Sequence, residues 1–168
     1  ESRAAITSAR KITGGGDAGD YLGNRAFSSR GVVRGNPLVS IVIPTQALSQ
    51  TINGVQQSLI VNAVRSIVEL TDYPHYEIVA VVDESAEQDV LDQLAALAGD
   101  RLQVVRWNKP FNFSQKMNFG VLHARGEFVL LLNDDVLVLT PEWLRSMLVL
   151  AQLPNAGIAG AMLYYEDD

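Results

Sequence analysis

Cysteine is absent from the 168 residues. That excludes disulfides, Cys-ligated zinc and thiol catalysis together. Histidine is scarce: His75 and His123 stand far apart and make no recognisable metal pair. Basic residues are outnumbered, 13 Lys and Arg against 19 Asp and Glu, for a formal net charge of −6. A nucleic-acid partner is not expected, because such binders carry a basic patch or stripe. Phosphorylated ligands stay open, since a bound cation reverses the local field. No apolar run approaches a membrane span; residues 128–132 are among the longest. The N-terminus has Gly and charge where a signal peptide would carry its apolar core. The absence of cysteine is compatible with a cytoplasmic location. There is no G-x-G-x-x-G after the first strand, no Walker A sequence and no G-x-S-x-G elbow, so a dinucleotide cofactor, a P-loop and a serine-hydrolase site are not expected.

What is present is a chain that is 48% hydrophobic, enough to bury the core of one compact domain. Residues 1–36 stand apart. They are rich in Gly, Ser and Arg, include Gly14-Gly15-Gly16, and read as a linker or the tail of a preceding segment, with at most a short strand at 31–34. Residues 37–168 carry the periodic pattern. Residues 39–43 and 77–82 are β-branched apolar runs and read as buried strands. Between them, polar residues 45–57 precede Leu59, Ile60, Ala63, Val64, Ile67 and Val68 at helical spacing. Ser85 with Gln88 forms a capping-box signature for the next helix, and Gly99 stands where its C-cap belongs. A third strand is expected at 102–107. Ser114 is placed to cap a helix carrying Met117, Val121 and Leu122, closed by Gly126. A fourth strand follows at 127–132. Thr140-Pro141 marks the start of another helix, buried through Trp143, Leu144, Met147, Leu148 and Ala151. Residues 157–163 read as a last strand.

Strands alternating with helices, and apolar along their length, predict an α/β fold. It is a Rossmann-like, mostly parallel sheet with helices on both faces. Right-handed crossovers then bring the C-terminal ends of the parallel strands to one edge, where such folds bind ligands. Pro44-Thr45, Asp83-Glu84-Ser85, the polar segment 108–118 and Asn133-Asp134-Asp135 all fall there. Two adjacent carboxylates directly after an apolar strand are costly if buried and unpaired. A divalent Mg²⁺ or Mn²⁺ shared with substrate phosphates resolves that repulsion; a solvated Asx turn or helix cap would too. Asp83 and Glu84 can accept hydrogen bonds from a ribose or a base N–H, or simply start the next helix. Lys109, Lys116 and Asn118 lie before the fourth strand, and a lysine there can place charge near a diphosphate. For either lysine alone an ordinary surface position is the plainer reading. Trp107 and Trp143 read as core or rim packing.

These pieces, in this order, resemble family 2 glycosyltransferases of the GT-A fold. Val39-Ser40-Ile41-Val42-Ile43-Pro44-Thr45 is similar to the family's opening strand, and Tyr73-Pro74-His75-Tyr76-Glu77-Ile78-Val79 to the approach to its second. Asn112-Phe113-Ser114-Gln115-Lys116-Met117-Asn118, then Ala124-Arg125-Gly126-Glu127 and Leu130-Leu131-Leu132-Asn133-Asp134-Asp135, resemble the run that ends in the family's DXD-type motif. The likeness covers Leu38 to about Tyr165. It implies a nucleotide-diphosphate sugar donor, with Pro44 and Thr45 walling the nucleoside pocket and Asp83 on the base or ribose. Asp134 would lie near the ribose or sugar, and Asp135 would ligate Mn²⁺ or Mg²⁺. It implies inverting transfer to a glycan or lipid-linked glycan in bacterial polysaccharide assembly. The acceptor site and catalytic base would lie downstream, leaving this 168-residue chain a truncated domain inactive in transfer. Two departures stand out: Asp83-Glu84-Ser85 where the family has Asp-Asp or Asp-Asn before Gly-Ser, and a longer loop at 46–57. A nucleotidyltransferase is one rival, but 46–57 is not the Gly-rich, basic loop it would need. A non-catalytic nucleotide-binding or scaffolding module is the other.

Overall fold

The computed structural model describes residues 16–21, 24–29, 31–52, 55–161 and 163. In chain order the elements are β1 (Gly16–Tyr21), β2 (Asn24–Ser29), β3 (Val39–Thr45), β4 (Ser49–Ile52) and β5 (Val55–Ser58). Helix α1 (Leu59–Leu70), β6 (Tyr76–Asp83), α2 (Gln88–Ala98), β7 (Leu102–Trp107), α3 (Phe113–His123), β8 (Phe128–Leu131) and α4 (Trp143–Ala151) follow. The chain divides into two compact units, Pro37–Pro141 and a second formed by Glu1–Asn36 with Glu142–Asp168.

The larger unit is built on a four-stranded parallel sheet in the order β7-β6-β3-β8. Its two central strands are buried throughout, except at Asp83, which ends β6. That is why their sequences are largely apolar and do not alternate, with polar residues only near the strand ends. The chain steps from β3 to β6 to β7 in one direction, then crosses back to β8. Right-handed crossovers therefore put α1 and α2 on one face and α3 on the other. Val42, Val79, Val81, Val105 and Trp107 cluster with Met117 of α3. By alternation Ile41, Ile43, Ile78, Ala80 and Val82 look to the opposite face, and they too are sealed from solvent. Gly120 is what lets α3 sit so close: a Cβ there would collide with the side chains of Val42 and Val81.

A buried polar clamp joins the N-terminal ends of the strands. Ser40 donates to Glu77 Oε1 (2.6 Å), and the Arg125 backbone N–H donates to the same oxygen (2.8 Å). Arg125 Nε donates to Glu77 Oε2 (2.7 Å), and the Gly126 N–H donates to Ser40 Oγ (2.8 Å). Burial works against the Glu77 charge, but the hydrogen bonds from Ser40 and Arg125, with the guanidinium charge, outweigh it and hold its pKa below the ordinary glutamate value. Its stabilising contribution is therefore present above the ordinary glutamate pKa and lost as pH falls through the lowered one. The clamp pins the turn between α3 and β8, and so sets where β8 starts along β3. A Cβ on Gly126 would stand 2.6 Å from the Leu38 carbonyl oxygen and 2.7 Å from the Ser40 nitrogen. Both are backbone atoms that cannot rotate aside. Gly126→Ala is expected to lower stability by about 1–3 kcal/mol, the usual cost of overpacking. An unchanged urea midpoint would show that β8 is not seated by this contact.

Several sequence-based boundaries move. Ser85 does not cap α2. The chain turns at Asp83–Ala86, with the Ala86 N–H on the Asp83 carbonyl (3.0 Å), and the helix begins two residues later with Glu87 at the cap. Asn112, not Ser114, caps α3: its side chain accepts from the Gln115 N–H at 3.0 Å. That helix ends with Ala124 at its C-cap, before Gly126. Glu142, not Thr140, occupies the α4 cap position. The polar stretch after β3 contains an antiparallel hairpin, β4–β5. Residues 31–34 are not a strand. Of the strand expected at 157–163, the described residues 157–161 and 163 are non-strand, and residue 162 lies outside the described residues. An apolar run becomes a strand only when a neighbour takes its backbone hydrogen bonds, and no described strand does so.

In the smaller unit β1 and β2 pair antiparallel. Its two chain segments are tied at Arg34 and Gln152. The Arg34 N–H donates to Gln152 Oε1 and Gln152 Nε2 donates to the Arg34 carbonyl, each at 2.8 Å. Of Gly14-Gly15-Gly16 in the expected linker, only Gly16 lies among the described residues. Among the described residues no helix is long and apolar enough to cross a membrane.

Candidate functional site

The C-terminal ends of β3, β6 and β8 meet in one connected set of polar groups, all within the larger unit. Thr45 closes β3. Its hydroxyl donates to Asp134 Oδ2 at 2.5 Å and accepts the Ala47 N–H at 2.8 Å. That second bond holds a sharp turn in which Ala47 adopts φ 57°, a left-handed conformation uncommon for a residue with a Cβ. Asp83 closes β6. Lys116, on α3, donates from Nζ to Asp83 Oδ1 and to the Thr45 carbonyl, each at 2.5 Å. Its side chain is fully buried, while that of Asp83 is 20% exposed.

Lys116 is thus not a surface lysine. It lies four residues before Gly120, the position that meets the sheet, so both share the sheet-facing stripe of α3. A buried ammonium must be paired, and here the strand ends supply its partners. The spacing to Gly120 was the available signal, though nothing in it names Asp83 as the partner.

Asp134 is half-buried and Asp135 exposed. Burial pushes the Asp134 pKa above the ordinary aspartate value, and the charge of Asp135 adds to this. The hydrogen bond from Thr45 and the ammonium of Lys116 oppose it. A cation placed beside Asp134 would favour its ionised form. Among the described residues no group of three or more His, Cys, Asp or Glu is placed to hold a metal. At most two carboxylates are on offer, which suits an ion that takes its remaining oxygens from phosphate and water.

Of the residues singled out in the sequence, Thr45, Asp83, Lys116 and Asp134 come together through hydrogen bonds, with Asp135 beside them. Pro44 is buried in β3. Glu84 is exposed in the turn after Asp83. Asn118 is exposed on α3; two residues beyond Lys116, it lies about 200° around the helix and away from the cluster. Lys109 stands over the Trp107 ring at 5.5 Å, and Trp107 itself is core. His123 sits against Phe119 and bonds its carbonyl oxygen.

The model of the family described as Glycosyl transferase family 2 matches residues 40–168. The O-antigen biosynthesis protein RfbC of Myxococcus xanthus is 32% identical over 135 residues, covering 80% of this chain and 10% of that protein. Uncharacterized protein y4gI of Sinorhizobium fredii is 40% identical over 150 residues, 87% of this chain and 16% of its own length. The chain thus spans less than a fifth of either relative. Among solved structures, the mannosyltransferase PcManGT of Pyrobaculum calidifontis, in complex with GDP-Man and Mn²⁺, aligns with a TM-score of 0.60 at 18% identity. The match covers 90% of this chain and 39% of that one. S. aureus TarS 1–349 aligns at 0.50 and 22% identity over 64% of this chain and 30% of its own. At such identities these likenesses concern the fold, which is that of GT-A glycosyltransferases. The family model matches well over half of the chain, and the chain belongs to glycosyl transferase family 2.

Proposed function

We propose that this chain binds a nucleotide-diphosphate sugar together with Mn²⁺ or Mg²⁺, as the donor-binding part of an inverting glycosyltransferase. The observation that carries the reading is the joining of Thr45, Asp83 and Asp134, from three parallel strand ends, by Lys116 and the Thr45 hydroxyl. Open α/β sheets bind ligands at this edge. In this reading Pro44 and Thr45 wall the nucleoside, and Asp83 accepts from the ribose or base, with Glu84 beside it. Asp134 lies near the ribose or sugar, and Asp135 ligates the metal. A carboxylate offers about four lone-pair sites, so Asp83 and Asp134 keep acceptor capacity beyond the bonds described. Lys116 acts from beneath, as the fixed countercharge of the site. Asn118, on the exposed side of α3, has no part in this arrangement. A divalent cation bound there would neutralise charge on a departing nucleoside diphosphate.

The solved relative that carries GDP-Man and Mn²⁺ supports this donor and metal class. The O-antigen relative supports a glycan or lipid-linked glycan acceptor and a place in bacterial polysaccharide assembly. Thermal unfolding with a panel of nucleoside diphosphates, with Mn²⁺ or with EDTA, tests the donor role. A matching ligand at about 100 times its Kd should add roughly 2.7 kcal/mol of stability, and only with the metal. The same shift in EDTA would remove the metal from the site.

A further inference from the structure

Phe111 is a large apolar side chain left half in water, 51% exposed, yet both of its neighbours in the chain are held by hydrogen bonds. The loop that carries it leaves β7 beside the end of β6, where the Glu84 N–H donates to the Trp107 carbonyl at 2.9 Å. On one side of Phe111 the Pro110 carbonyl accepts from the Trp107 indole N–H at 3.2 Å. On the other, Asn112 is the side-chain cap of α3. The Phe111 ring itself lies over Lys116, with Nζ 5.4 Å from its centroid. That is the ammonium that holds Asp83. One cation thus orients both the ring and the carboxylate, leaving aromatic surface open to solvent at the rim of the site. Exposed apolar residues scattered singly need no explanation, but this one is anchored from both flanks and coupled to the site's own charge.

We propose that Phe111 is the stacking platform for the nucleobase of the donor, offset from Asp83 so that base and ribose engage ring and carboxylate together. The inference rests on the nucleotide-binding reading above and adds to it the residue that recognises the base. Base–aromatic stacking is sequence-tolerant, because every base has a π-face. Phe111 would therefore contribute affinity for nucleosides in general, leaving selection among bases to hydrogen bonds at Asp83.

The test uses the whole chain with Mn²⁺ and three probes: GDP, UDP and inorganic pyrophosphate. By calorimetric titration Phe111→Ala should bind the better of the two nucleotides about 5- to 100-fold more weakly and bind pyrophosphate as the wild type does. Phe111→Tyr should retain nucleotide affinity. Phe111→Trp should show emission quenched by nucleotide and not by pyrophosphate, beyond any change seen with the wild-type tryptophans. Equal nucleotide affinity in the wild type and Phe111→Ala would overturn the proposal. So would a parallel loss of pyrophosphate binding, which would make the ring a structural prop. If the wild type binds pyrophosphate but neither nucleotide, the nucleotide reading itself falls, and this inference with it.

Discussion

Lys116→Met should cost the protein about 2–4 kcal/mol, a large share of a domain's stability. Methionine fills a similar space, so the effect is electrostatic and not a cavity. The substitution strands the Thr45 carbonyl and the Asp83 carboxylate, both of which accept from the buried ammonium. Removing one partner of a buried pair is more damaging than removing both. Asp83 retains some solvent access, which keeps the expected loss below that of a fully enclosed pair. The double variant Asp83→Asn with Lys116→Met should recover part of the loss, giving a coupling energy in a double-mutant cycle. Urea denaturation of the four proteins measures it. Additive losses would mean that the ammonium and the carboxylate do not support each other. Nucleotide affinity should fall in Lys116→Met, because Asp83 and Thr45 are no longer held in place, and in the double variant, which lacks the Asp83 carboxylate altogether.

Asp135→Ala should do the opposite: leave the fold intact and remove metal-dependent nucleotide binding by at least about 100-fold, beyond what loss of a mere supporting group costs. Asp135 is exposed, so its removal leaves no cavity. Its charge contributes to the raised pKa of Asp134, after burial. A carboxyl whose folded pKa is raised stabilises the protein fully below its unfolded pKa, and that contribution is lost as pH rises through the folded one. Without Asp135 this loss shrinks, so the metal-free variant should equal or exceed the wild type in stability at neutral pH. The two should converge near the ordinary aspartate pKa. A melt that collapses in the variant would mean that Asp135 holds a turn or cap.

The sheet was legible because burial on both faces leaves continuous apolar runs, and β3, β6 and β7 follow the expected segments within two residues. The acidic strand ends were legible because carboxylates directly after such runs are conspicuous. Lys116 was not. A lysine in a polar stretch looks like surface until its phase against Gly120 is noticed, and the partners that make its burial tolerable lie 33 and 71 residues away in sequence. Ser85 misled because a capping pattern is local, whereas the turn after Asp83 is set by how β6 must end. The residues around 157–163 have strand chemistry, but pairing depends on a neighbour that sequence cannot supply. Glu77 read only as part of a strand; its role in the clamp depends on Ser40 and Arg125, which lie 37 and 48 residues from it.

In the proposed site Asp134 and Asp135 are too few to hold a metal tightly alone, and a bound diphosphate would complete its oxygen ligands. Electron paramagnetic resonance of free Mn²⁺ tests it directly. The aqueous Mn²⁺ signal should fall little with protein alone. With GDP or UDP added, it should fall well beyond the decrease that the same nucleotide causes without protein, and Asp135→Ala should abolish that difference. A signal that depends on nucleotide concentration but never on the protein would contradict the proposed site.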